Sequence, residues 1–294
     1  PGQAAPEPAL MPGEDDAGVV LPAETDVARS DPASVPGDPQ AGSPAWLPER
    51  ASPAALLLRL VVEGESRRPR LRAALAAALG LSAGSTNTNS VRKAFRALEA
   101  AGLVARVAVA LPGNPALYLP TDAGLAAYRA LYGEPPAGTP GRALLARHRS
   151  PEHTYLNLEA ADLLRGLGYT VDMAPPEVRD DRGHFVPDLL AVSPAGETLY
   201  VEVETGDGHH SVAQAAHKWR VIADHTGGLI RVVCATDAAL AGVRAAVEYL
   251  AEAYGGRIDA AAGVLDAMRR AAGPGVDLDD LWAWRRVFEP KESA

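Results

Sequence analysis

Three acids are the residues best suited to chemistry: Asp188 in FVPDLLAV, and Glu202 and Glu204 in TLYVEVET. Both segments read as strands. Strand alternation puts Glu202 and Glu204 on one face, about 7 Å apart along the chain, with Tyr200 before them on that face; Val201 and Val203 go to the opposite layer. With Asp188 on the adjacent strand, three carboxylates converge near one edge of a sheet. Acids beside an apolar run such as LYVEVE need a partner for their charge. Mg²⁺ fits, being a hard cation held by one or two carboxylates, water and a phosphate oxygen.

The surrounding elements must position these acids. In order they read as a helix (PEHTYLNLEAADLLRGLG), a strand (YTVDMA), a loop (PPEVRDDRGH), a strand (FVPDLLAVS), a turn (PAGE) and a strand (TLYVEVET). A loop (GDGHH), a helix (SVAQAAHKWRVIADHTG), a strand (LIRVVCAT) and a helix (DAALAGVRAAVEYLAEAYGG) follow. This order predicts an α/β fold with a central mixed sheet flanked by helices. The final VDLDDLWAWRRVFEP reads as an amphipathic helix, so residues 151–294 are expected to end in C-terminal helices.

From His153 to Thr236 the sequence resembles the PD-(D/E)xK, or restriction-endonuclease-like, superfamily, on Pro187-Asp188, Glu202-Val203-Glu204, and the helix and strand after them. The resemblance implies that Asp188 and Glu202 bind the metal and that a Lys orients or activates the attacking water. Glu204 stands at the Lys position, which is a departure. Either Glu204 acts directly as base or water holder, or Lys218 reaches the site from the following helix, with Gln214 one turn before it. Glu159 matches the acid that some members supply from the first helix. His153 lies nearly two turns from Glu159 and is expected to face elsewhere. His209, His210 and His217 read as polar surface and Cys234 as core; Trp219, Trp282 and Trp284 read as packing residues, with Trp219 close enough to Lys218 to meet a base.

Before that region, PAALLLRLVVEG, LRAALAAALGL and SVRKAFRALEAAGLV show helical periodicity. LVARVAVAL, PGNP and ALYLP read as a hairpin, and TDAGLAAYRALYG as a helix capped by Thr121. Residues 51–133 in this order resemble the winged helix-turn-helix family. The resemblance implies double-stranded DNA as partner, with the third helix in the major groove. Arg92, Lys93 and Arg96 would face the DNA, and Val91, Phe95 and Leu98 the core. STNTNS, with Asn87 and Asn89, is suited to phosphate contacts, and Arg67, Arg68, Arg70 and Arg72, expected in the turn between the first two helices, add positive charge that favours DNA. A winged helix that binds protein is the alternative.

The net charge of −9 hides this division. Residues 1–50, an acidic Pro/Ala/Gly-rich stretch expected to be disordered, carry −7; residues 51–133 carry +6; the linker 134–150, with a short helix at Arg142 to His148, carries +2; residues 151–294 carry −10. A locally basic face supplies phosphate attraction whatever the overall sign. One cysteine permits no internal disulfide, and no apolar run approaches the roughly 20 residues of a membrane helix. A soluble cytoplasmic protein, with no membrane partner and compatible with a homodimer, is expected.

The tandem order, with an EHxYxxLE helix, VPD and EVET, resembles the replication-relaxation family of plasmids and integrative elements. It implies a role in replication or transfer of a mobile element through DNA binding. The expected cofactor is Mg²⁺ or Mn²⁺ if the acids are catalytic. The alternatives are a replication or transcription regulator whose nuclease fold has lost its chemistry, needing no cofactor, and a protein-binding scaffold.

Overall fold

The computed structural model describes residues 47–82, 88–136, 140–181, 183–206 and 211–290. The expected acidic tail lies, through residue 46, outside the described residues, as do Asn87, His209 and His210. The described residues all belong to one compact unit.

The first elements are α1 (Pro53–Val62), α2 (Arg68–Ala78), α3 (Asn89–Ala100), the antiparallel hairpin β1 (Val104–Ala108) and β2 (Ala116–Pro120), and α4 (Asp122–Tyr132). Small polar residues start three of these helices. Ser52 Oγ accepts the Ala55 N–H, Thr88 Oγ1 the Val91 N–H and Thr121 Oγ1 the Gly124 N–H, satisfying donors that a helix leaves open. Leu57, Leu58, Leu71, Leu75, Val91 and Leu98 fill a shared core, and Phe95 meets Tyr118 edge to face at 4.8 Å. A Cβ on Gly124 would lie 2.0 Å from the Leu103 carbonyl oxygen, so the close approach of α4 to the start of β1 requires glycine.

The remaining elements are α5 (Pro140–His148), α6 (Pro151–Gly166), β3 (Thr170–Asp172), β4 (Val178–Asp180), β5 (Gly183–Phe185), β6 (Leu189–Val192) and β7 (Thr198–Glu204). After them come α7 (Val212–Thr226), β8 (Leu229–Cys234), α8 (Asp237–Ala253), β9 (Ile258–Val264), α9 (Leu265–Ala271), a 3-10 turn at Leu278–Leu281 and β10 (Trp284–Phe288). Six strands make one mixed sheet in the order β10-β9-β8-β7-β6-β3, with β7, β8 and β9 parallel and the other pairs antiparallel. The protein is α/β, as expected. Period-2 alternation divides the strands between two layers. Val201, Val203, Val233 and Ala261 pack with α6 and α9, while Ile230, Val232, Cys234 and Ala260 pack with α7 and α8.

Three expectations are corrected. The segment FVPDLLAVS is not one strand: β5 ends at Phe185 and β6 begins at Leu189, because Pro187 has no N–H for a ladder. Part of the predicted loop before it pairs instead as the β4–β5 hairpin. The C-terminal segment is a turn and a strand rather than a helix. β10 pairs antiparallel along β9, covering an edge whose backbone groups otherwise lack partners, with Trp284 and Phe288 turned to the α7/α8 core. β9 itself, IDAAAGV, is too rich in alanine and glycine to announce a strand.

The predicted linker holds α5, longer than the expected short helix. Leu144 on α5 packs with Val109, Leu117 and Leu158, joining the hairpin to α6. A buried ion cluster reinforces that junction. The Arg67 guanidinium lies 2.9 Å from Glu65, 2.7 Å from Asp162 and 3.1 Å from Glu159, and donates to the Leu158 carbonyl at 3.1 Å. Removing this cation takes a partner from the buried Glu159 and from the half-buried Glu65 and Asp162. Arg67→Met is expected to lower stability by about 3 kcal/mol, read from the urea midpoint at pH 7. Arg70, an exposed partner of Asp162, should cost less than about 1 kcal/mol when changed to Met.

Candidate active site

Asp188 sits just before β6, held from three directions. Its Oδ2 accepts the Val203 N–H at 2.9 Å, its own N–H donates to Glu202 Oε1 at 3.3 Å, and its Oδ1 lies 2.8 Å from His153 Nε2. Arg147 fixes the chain just upstream, donating to the carbonyls of Pro175 at 2.8 Å and Pro187 at 3.0 Å. The Pro-Asp pair is therefore a clamp across two strands. Asp188 and Glu202 are both buried, 6% and 4% exposed.

Lys218 enters from α7. Its Nζ lies 2.5 Å from Glu204 Oε1 and 3.3 Å from Glu202 Oε2, and 4.7 Å above the Trp219 ring. Gln214 does not reach the acids. Its side chain accepts the Ser211 N–H while Ser211 Oγ accepts its backbone N–H, a reciprocal cap that starts α7. Glu204 stays with Lys218. Among the described residues the one group of three or more acid, His or Cys ligand atoms within 4.8 Å of one another is His148, His153 and Asp188.

Glu159 is also elsewhere. Arg67 takes one of its oxygens and Arg269 the other, which makes it part of the ion cluster behind α6. Glu159 and His153 do point apart, as their spacing predicts, but it is His153 that meets Asp188. His148 joins it, with Nδ1 3.7 Å from Asp188 Oδ1 and its ring stacked on that of His153 at 4.5 Å. His148 escapes a reading of the sequence because it lies in the expected linker. The signal is RHRSPEH, two histidines on either side of a Ser-Pro helix start.

The environment sets the charge of each group. Burial and the neighbouring Asp188 charge push the Glu202 carboxyl up to about 7, against the opposing pull of Lys218. Burial also acts to raise Asp188, but the His153 hydrogen bond and charge, the Lys218 charge and the Val203 N–H outweigh it and hold Asp188 below the usual range. Burial acts to lower Lys218, yet Glu202, Glu204 and Asp188 together raise it, so it stays a cation. Burial, with His153 beside it, brings His148 down to about 4, leaving a neutral imidazole at pH 7. Cys234 is pushed up to about 12 by burial and is inert.

The expected basic helix is laid out as its spacing predicts. Arg92, Lys93 and Arg96 are exposed, with Arg92 donating to Asn89 Oδ1 at 2.7 Å, and Val91, Phe95 and Leu98 are buried. Arg68 and Arg72 are half-buried on the adjoining α2, where burial and the charges of Arg68 and Arg92 lower Arg72. Arg67 is corrected: it is buried in the ion cluster and offers no charge to solvent. The chain matches no protein-family model, no curated protein and no solved structure. Among the described residues no helix is long and apolar enough to cross a membrane.

The magnesium ion implied by the sequence resemblance fits the donor set at Asp188 and Glu202. With all three acids ionised and Lys218 charged, the cluster keeps an excess of two negative charges, with Asp188 and Glu202 buried, which a hard divalent cation balances. The raised Glu202 carboxyl has a pH signature. Glu202 is raised in the folded chain, so the stability it contributes is complete below about 4.5 and is lost as pH rises through about 7. His148, lowered to about 4, gains stability with pH over part of the same range, so the effect is read as a difference: between pH 5 and 8 the denaturation midpoint of the metal-free wild type should fall relative to that of Glu202→Gln.

Proposed function

We propose that this chain is a DNA-binding protein whose acid cluster hydrolyses phosphodiester bonds with Mg²⁺ or Mn²⁺. The observation that carries this reading is the buried Asp188–Glu202 pair with Lys218 clamped against it and against Glu204. Asp188 and Glu202 would hold the ion, which supplies charge neutralisation and polarisation of the phosphoryl oxygen. Lys218, kept protonated by its three acids, is a donor rather than a base. It orients the attacking water and offsets charge on the phosphate. Glu204, at the solvent edge of the cluster, accepts the proton of that water. The two substitutes for the missing Lys thus act together.

On this reading α3 brings the chain to DNA. Three helices, a hairpin and a closing helix are the order of a winged helix, and the exposed Arg92, Lys93 and Arg96 give it a basic face suited to the major groove. The rest of the chain is acidic and needs that basic neighbour to approach a phosphate backbone. The Arg67 cluster keeps the two in one unit. A role in replication or transfer of a plasmid or integrative element goes with this pairing. One observation favours the alternative of a non-catalytic replication or transcription regulator: Asp188 Oδ1 is engaged by His153 rather than open to an ion.

Incubation with supercoiled plasmid and Mg²⁺ or Mn²⁺ separates the two. Wild type should nick, Asp188→Ala should not, and Lys218→Met should nick at least about 100-fold more slowly. Absence of nicking with either ion leaves the regulator. For binding, Arg92→Ala with Arg96→Ala should weaken DNA affinity and reduce the log–log salt slope by roughly 2, measured by fluorescence anisotropy.

A further inference from the structure

We propose that His148, His153 and Asp188 form a second, nitrogen-rich site that takes a divalent transition ion of the Zn²⁺ or Co²⁺ class. One ligand atom from each lies within 4.8 Å of the others. His153 Nε2 and His148 Nδ1 both aim at Asp188 Oδ1, from 2.8 Å and 3.7 Å. Ligand atoms about 2.1 Å from a tetrahedral ion stand roughly 3.4 Å apart, so these atoms bracket the spacing that one ion imposes. Two imidazoles and a carboxylate with a remaining open position make a set for zinc-like ions. Mg²⁺ prefers oxygen ligands alone.

The surrounding backbone is arranged to bring the rings together. His148 ends α5 and His153 is the third residue of α6, and between them Arg149 takes φ of 56°, a left-handed conformation that a non-glycine residue enters only under constraint. That turn folds α5 onto α6. Ser150 Oγ accepts the His153 N–H at 3.1 Å and sets the start of the helix. Asn157, fully buried one turn further on, donates to the His153 carbonyl at 3.2 Å and lies 3.4 Å from His148 Nε2. Its Oδ1 is buried without a hydrogen-bond partner. Binding through His148 Nδ1 moves that ring's proton to Nε2, and a turn of the Asn157 amide presents Oδ1 as its acceptor, the outer support that metal-bound histidines need. The His153 side chain, 23% exposed, leaves the site open to solvent.

The site shares Asp188 with the phosphodiester reading, but its two imidazole ligands play no part in that reading and it does not depend on it. Untagged, metal-stripped full chain titrated with CoCl₂ should develop a saturable d–d absorption band at one equivalent. His148→Gln and His153→Gln should each weaken Co²⁺ binding by at least about 100-fold and Asn157→Ala by about 10-fold. His184→Gln, at an exposed histidine, should leave it unchanged. Circular dichroism checks the fold of each variant, and His153, the more exposed of the two rings, carries the test alone if the His148 variant unfolds. No saturable band in the wild type, or a band that survives in folded His153→Gln, overturns the proposal. Nicking with Mg²⁺ is scored separately, so a failure of this site and a failure of the phosphodiester reading give different results.

Discussion

Two buried carboxylates at the junction of β6 and β7 set the terms for everything packed around them. Ion burial is costly unless charge and hydrogen bonds compensate it. Asp188 and Glu202 receive both: the Val203 and Asp188 N–H groups, the His153 ring and the Lys218 ammonium. Each donor comes from a different element. The strand register, the start of α6, the cap of α7 and the Arg147 bracket on Pro175 and Pro187 all converge on holding these two side chains in place.

A second buried charge cluster solves a different problem. Arg67 stands between two apolar cores and satisfies Glu65, Asp162 and Glu159 at once, while α5 supplies Leu144 on the same junction. Hydrophobic contact alone does not select an orientation. A guanidinium whose planar fork meets carboxylates from α6 and from the loop between α1 and α2 does, because each bond has its own direction. Glu159 is buried for this reason, and its burial is structural in origin.

Much of the architecture was legible. Helical periodicity in residues 53–101, the Gly102 stop, the hairpin at PGNP and the alternation in TLYVEVE all reappear, as does the burial of Val91, Phe95 and Leu98 opposite Arg92 and Arg96. The misses have physical causes. β9 is made of alanines that prefer helix and become strand only because neighbours pair on both sides; β10 pairs because β9 presents an edge. α5 looked like a linker because its prolines and glycines outweighed a short apolar stretch, ALLA, whose buried member Leu144 has its partners distant in sequence.

By itself the sequence determined the local rules: which residues start helices, which face of each strand is apolar, and that Asp188, Glu202 and Glu204 are acids where apolar residues are expected. Those follow from backbone sterics, capping and alternation, which act over a few residues. Only the tertiary structure decided which acids meet. It brought Lys218 to Glu202 and Glu204, sent Glu159 to Arg67 and Arg269, and set His148 and His153 against Asp188. Contacts between residues 14 to 110 positions apart depend on helix packing and strand order, and no local pattern encodes them.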